Sequence, residues 1–185
     1  MSTTIRPART SDIKAIRKII DLYALQRRVL AKETVMLYED VQEFFVAEID
    51  GAVIGCGALH VLWEDLGEVR TVAVLEEHRK KKIGHQILSA IIERARQLGL
   101  KRLFCLTFET TFFGSHGFKE IQGAPVEADV YAQLLRSYDE GIAEFLDLES
   151  VKPNTLGNTR MLLTDRKSTR LNSSHVSESR MPSSA

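Results

Sequence analysis

The chain reads as one α/β domain with a central hairpin. Three observations predict this. Two apolar runs, at 44–49 and 52–62, flank Asp50-Gly51, a dipeptide that favours a tight hairpin. Two segments carry apolar residues at helical spacing: Ile13, Ile16, Ile19, Ile20 and Tyr23 in one, Ile83, Ile87, Leu88, Ile91, Ala95 and Leu98 in the other. Strand-like and helical segments are interspersed along the chain, with no internal repeat.

Taken in order, residues 4–7 are a short strand candidate, and Thr10 or Ser11 is placed to cap the first helix. The polar stretch around 32–40 reads as loose. In the strand over 52–62, Gly55 and Gly57 allow a close backbone approach or a bulge. Leu66-Gly67 reads as a turn and 68–75 as the next strand. A helix over 82–98 ends at Gly99, which suits a left-handed terminus. A buried strand over 102–107, a short helix over 111–116 and the start of a strand over 117–121 come next. A helical stretch over 127–148 and a last strand over 158–163 complete the order.

The most telling segment is Arg79-Lys-Lys-Lys-Ile-Gly84, between an apolar strand and a helix. A turn that opens a helix points free backbone N–H groups and the positive end of a helix at an anion. Arg79, Lys80, Lys81 and Lys82 add charge at the same place, and a diphosphate is the natural ligand. The alternative is a solvated basic loop before an ordinary helix. Neither Gly-x-x-x-x-Gly-Lys-Ser/Thr nor Gly-x-Gly-x-x-Gly occurs, which argues against a nucleoside triphosphatase or a dinucleotide enzyme.

Composition sets wide bounds. The 185 residues are 44% apolar and 27% charged with a formal net charge of zero, which fits a soluble domain and gives no reason to expect nucleic acid or a membrane as partner. No apolar signal region opens the chain. Cys56 and Cys105 lie in apolar runs and read as buried free thiols of a cytoplasmic protein, not as a disulfide or a metal site. A homodimer is allowed. Residues 166–185 hold seven serines and no periodicity; they read as a disordered tail that resembles a translated cloning adapter, leaving 1–165 as the domain. His175 lies in that tail and carries no functional weight.

The basic turn resembles the diphosphate-binding motif of the GNAT superfamily of acyl-CoA N-acyltransferases, Arg/Gln-x-x-Gly-x-Gly/Ala. Arg79 and Gly84 match it, and Lys82 stands where the first glycine is usual. His116-Gly117-Phe118 resembles the Gly-Phe after the fourth helix of that superfamily. The strings 37–44, 55–60, 106–113 and 154–162 resemble the short, single-domain N-acetylglutamate synthases of bacterial arginine biosynthesis. The resemblance covers nearly all of 4–165. It implies a mixed, mostly antiparallel central sheet splayed at the acetyl-CoA site. It also implies transfer of an acetyl group from acetyl-CoA to the α-amine of L-glutamate or L-glutamine, without a metal. The longer synthases carry a kinase-like domain ahead of this one, so an arginine-binding regulatory site is not implied here.

The resemblance assigns roles. The diphosphate falls to the turn, Arg79, Lys80, Lys81, Lys82, Ile83 and Gly84. Backbone groups of Val72, Ala73 and Val74 would pair with pantetheine amides and polarise the thioester, although a plain core strand would read the same way. Glu68 is the general-base candidate and Glu109 the second carboxylate, with His60 a third. Phe113 stands where many relatives carry a tyrosine acid, which leaves Ser115, water or an unassisted thiolate. A dicarboxylate acceptor asks for cations and neutral donors. Lys32, Arg70 and Arg160 are the cations; Thr107, Asn158 and Thr159 are the donors. Each cation has an internal ion pair as its alternative. Two rival readings keep the fold, an acetyltransferase for another amine and a non-catalytic acyl-CoA sensor.

Overall fold

The computed structural model describes residues 2–25, 33–146, 148 and 157–164. The strands are β1 (Thr4–Pro7), β2 (Phe44–Ile49), β3 (Ala52–Trp63), β4 (Leu66–Val74), β5 (Arg102–Thr107), β6 (Lys119–Glu120) and β7 (Thr159–Thr164). The helices are α1 (Ile13–Leu25), α2 (Thr34–Glu39), α3 (Ile83–Gln97), α4 (Thr110–Gly114), α5 (Ala128–Leu134) and α6 (Glu140–Phe145). Among the described residues one seven-stranded sheet runs β1-β2-β3-β4-β5-β7-β6, with β4 and β5 its parallel pair.

Each face of the sheet buries an amphipathic helix. Ile83, Ile87, Leu88 and Ile91 of α3 meet Ile54, Leu59, Val69, Leu103 and Cys105. Burying each such side chain contributes roughly 1.5–3 kcal/mol. Gly57 is what lets α3 sit this low, because a Cβ there would stand 2.8 Å from Ile87 Cγ2. On the other face α1 sets Ile13, Ile16, Ile19 and Ile20 on Val46, Cys56, Ala58 and Ala73. Farther along that face α5 and α6 set Leu134, Ile142 and Phe145 on Leu62, Leu66 and Phe104.

The sheet is split by a count of residues. Ala73 pairs with Cys56 and Arg70 with Ala58, so β4 spends three steps where β3 spends two. The added residue forms a bulge, with Thr71 in the left-handed region at φ 57°. A β-branched residue rarely adopts that conformation, and the strain is held by the flanking pairs. Pairing of β4 with β5 covers only Leu66–Arg102, Gly67–Leu103 and Glu68–Phe104. Beyond Glu68 the two strands diverge.

Several elements differ from the sequence reading. Neither Thr10 nor Ser11 caps the first helix; the Asp12 carboxylate accepts the Arg9 N–H at 2.7 Å and pairs with Arg6 at 2.7 Å. The stretch around 32–40 contains α2, which buries Leu37 against α1. The turn before β4 falls at Glu64 and Asp65, and Leu66 and Gly67 already belong to the strand. Leu98 ends α3 45% exposed rather than inward. The helical stretch over 127–148 is two short helices, broken before Asp139, whose carboxylate caps α6 through Ile142 N–H at 2.9 Å. Residues 166–185 lie outside the described residues.

Candidate active site

The divergence of β4 from β5 leaves two hollows that meet. The larger, about 270 Å³, is lined by Val72, Val74, His78, Arg79, Lys80, Lys82, Ile83, Gly84 and His85. The smaller, about 110 Å³, lies in the crevice among Val69, Thr71, Leu106 and Thr107. Tyr23, Val72, Glu109 and Phe112 line both.

The basic turn is shaped for an anion. Lys80 and Lys82 both take left-handed backbone, at φ 64° and 60°. Lys82 caps α3 in that conformation, which explains why a glycine suits the place. The first intrahelical bond of α3 runs from Gln86 N–H to Lys82 C=O at 3.1 Å, so the amides of Ile83, Gly84 and His85 precede it. A Cβ on Gly84 would stand 3.4 Å from Phe112. His78 brings a buried Nδ1 with no partner among the described residues. These features fit a diphosphate. Lys81 is exposed and does not line the hollow, unlike its neighbours.

The edge of β4 supplies fewer groups than expected. Leu75 N–H bonds inward to Ile54 C=O at 2.9 Å. Alternation therefore turns the N–H and C=O of Val74 outward and those of Ala73 toward β3. Ala73 is buried beneath α1.

A polar layer lies on the α5–α6 face. On β3 His60 falls between Ala58 and Leu62; on β4 Glu68 and Arg70 fall between Leu66 and Ala73. Glu68 is 5% exposed, and Arg70 Nε donates to its Oε2 at 2.7 Å. The same guanidinium donates to both oxygens of Asp139, at 3.1 and 2.6 Å. Gly141 permits this contact, since a Cβ there would meet Arg70 Nη2 at 2.3 Å. Burial holds the Glu68 carboxyl above the usual carboxylate range in spite of Arg70. Burial also pushes Asp139 up, but hydrogen bonds from Arg70 prevail and bring it to about 2. Burial would lower the Arg70 pKa; the two carboxylates outweigh it and raise it. His60 Nδ1 lies 2.6 Å from Glu43 Oε1.

The sequence-derived candidates therefore separate. Val72, Val74, Arg79, Lys80, Lys82, Ile83, Gly84 and Glu109 line the first hollow, and Thr107 lines the crevice. Thr107 pairs across strands with Thr159, next to Asn158, and its Oγ1 accepts the Glu109 N–H at 2.9 Å. Arg70 is engaged by two carboxylates rather than turned to the crevice. Arg160 stacks 5.0 Å over Phe104 and donates to the carbonyls of Gly123, Glu144 and Phe145. Lys32 lies outside the described residues. On α4 Phe112 faces both hollows, while Phe113 is buried against Phe118 and lines only the crevice. Ser115 donates to Phe112 C=O at 2.7 Å and lines neither hollow. Sequence reasoning missed Tyr23 as a groove residue because its helical spacing reads as core. It missed Asp139, whose only signal is an acid just ahead of a helix.

Residues 14–123 match the model of the acetyltransferase (GNAT) family. The chain belongs to the GNAT family. It is an acetyltransferase, and acetyl-CoA is its acyl donor. An amino-acid acetyltransferase of Mycobacterium tuberculosis is 57% identical over 162 residues, covering 86% of this chain and 92% of that one. A crystal structure of a Mycobacterium tuberculosis protein in complex with CoA and NLQ superposes with TM-score 0.84 at 57% identity, covering 87% of this chain and 98% of that one. The N-acetylglutamate synthase of Neisseria gonorrhoeae, complexed with coenzyme A and N-acetyl-glutamate, superposes with TM-score 0.71 at 25% identity. This chain covers 35% of that synthase, which matches 89% of this chain.

Proposed function

We propose that the protein acetylates the α-amine of L-glutamate, with L-glutamine as a second acceptor, as the first step of arginine biosynthesis in the cytoplasm. The observation that carries this reading is the continuity of the two hollows, with the strand that bears Glu68 forming one wall of the crevice. The similarity to an amino-acid acetyltransferase and to an N-acetylglutamate synthase supports the acceptor class.

Residues of the turn and the amides of Ile83, Gly84 and His85 hold the diphosphate. The outward backbone of β4 holds the pantetheine arm and polarises the thioester oxygen. The neutral amine attacks the thioester carbon, the C–N bond forms and the C–S bond breaks. Glu68 takes the amine proton, directly or through water. Burial raises its pKa, which makes the carboxylate a stronger base than one in solvent. Arg70, held by Asp139, orients that carboxylate instead of binding the acceptor. Lys32 is assigned to an acceptor carboxylate, with Thr107, Asn158 and Thr159 as neutral donors; Arg160, engaged by the carbonyls of Gly123, Glu144 and Phe145, holds the wall behind them. Phe112 and Phe113 bring no hydroxyl, so the thiolate takes its proton from water.

CoA release measured across a panel of amino acids tests the acceptor. Glutamate and glutamine should lead it, and turnover with no amino acid in the panel would sink the reading. Glu68→Gln should lower kcat about 100- to 10,000-fold and leave acetyl-CoA affinity nearly unchanged. An unaffected kcat would remove Glu68 from the chemistry.

A further inference from the structure

Where β4 leaves β5, its outward edge needs a partner. Val74 N–H and C=O lie on that edge, and one atom serves both. The Tyr23 hydroxyl donates to Val74 C=O at 2.5 Å and accepts from Val74 N–H at 3.4 Å. A hydroxyl that donates and accepts at one residue does what the amides of a neighbouring strand would do. Tyr23 also stands where the two hollows join, since it lines both. It comes from the last turn of α1, and its ring packs against the α1 core.

We propose that Tyr23 is a placeholder for the acyl carrier. In the free enzyme its hydroxyl satisfies the Val74 edge; on binding it yields that edge to a secondary amide of the pantetheine arm. Filling the groove and reseating the last turn of α1 are then one event. The proposal rests on the acetyl-CoA reading of the groove and is independent of which amino acid is acetylated.

Tyr23→Phe keeps the ring and removes the hydroxyl. With CoA as titrant in calorimetry, the variant should bind about 2- to 10-fold more tightly than wild type, the free enzyme having lost a competing hydrogen bond. Its Tm without CoA should fall, and the Tm gain at saturating CoA should grow. Weaker binding by the folded variant would make the hydroxyl a ligand of the carrier and overturn the proposal, as would an unchanged affinity. A second measurement keeps the native hydroxyl: 3-fluorotyrosine placed at position 23 should shift its ¹⁹F line on CoA saturation, and an unmoved line would overturn the proposal. Wild type that bound no CoA would remove the groove assignment itself, and the placeholder with it.

Discussion

The basic turn and the polar layer beneath α6 use charge in opposite ways. The turn is exposed, Lys80 and Lys82 border the hollow, and its specificity lies in backbone: two left-handed residues and three leading amides of α3. The polar layer is buried, and its charges are matched side chain to side chain: Arg70 pairs with Glu68 on its own strand and with Asp139 from a distant part of the chain. A backbone site tolerates changes in side-chain identity and fails when its conformation or space is taken. A paired buried site fails when one partner is removed, because the remaining charge is left dry. The contrast teaches where each half of the reaction is vulnerable, and it can be broken in a graded way.

The largest effect should come from the buried side. Arg70→Met keeps bulk and strands Glu68 and Asp139, so stability should fall by about 3–5 kcal/mol in denaturant unfolding. A loss below about 1 kcal/mol would show the triad to be dispensable.

On the turn, Gly84→Asp places an anion and a Cβ against the cradle and Phe112. CoA affinity measured by calorimetry should fall at least about tenfold, roughly 1.4 kcal/mol, with Tm close to wild type. Unchanged affinity in the folded variant would move the diphosphate elsewhere.

Acid should reach the paired carboxylates and spare the turn, which carries none between Arg79 and Gly84. Asp139 has a folded pKa of about 2, below its ordinary 3.8. A depressed carboxylate contributes stability that is present above the unfolded pKa and lost as pH falls through the folded one. Thermal stability should therefore decline between about pH 4 and pH 2, and Asp139→Asn should flatten part of that decline. Asp12, also held low by Arg6, titrates in the same direction and supplies the remainder.

Lys82→Gly tests the turn most gently. It relieves a left-handed lysine and should raise stability by up to about 1 kcal/mol, with CoA still bound through the backbone. Smallest of all is deletion of 166–185, which we propose to be dispensable for the domain; Tm and activity should be unchanged within error.

The same contrast decides what the sequence disclosed. The hairpin at Asp50-Gly51, the apolar stripe of α3 and the basic turn are local patterns, and each was legible. The break between α5 and α6 was not, because the apolar spacing continues past it and the interruption is made by Asp139 folding back onto Ile142 N–H. The triad was invisible for a simpler reason: Arg70 and Asp139 are 69 positions apart, and nothing in either neighbourhood names the other. Arg70 was recognised as a charge needing a partner, but the partner was not. Tyr23 was legible as an inward residue and silent about its hydroxyl.

The extra residue at Thr71 has a consequence for how this family can vary. Up to Arg70 the side chains of β4 alternate in one phase, with Glu68 and Arg70 under α6; past the bulge the phase is reversed, and Ala73 rather than Val72 meets α1. Removing one position between them would restore plain alternation, with Ala73 still opposite Cys56 and under α1, and would take away the kink at Thr71. Substitutions are absorbed along this strand one side chain at a time. A single-codon gap at Thr71 should therefore narrow the opening beside β5 and be read as weaker CoA binding, with the two faces of the sheet unchanged.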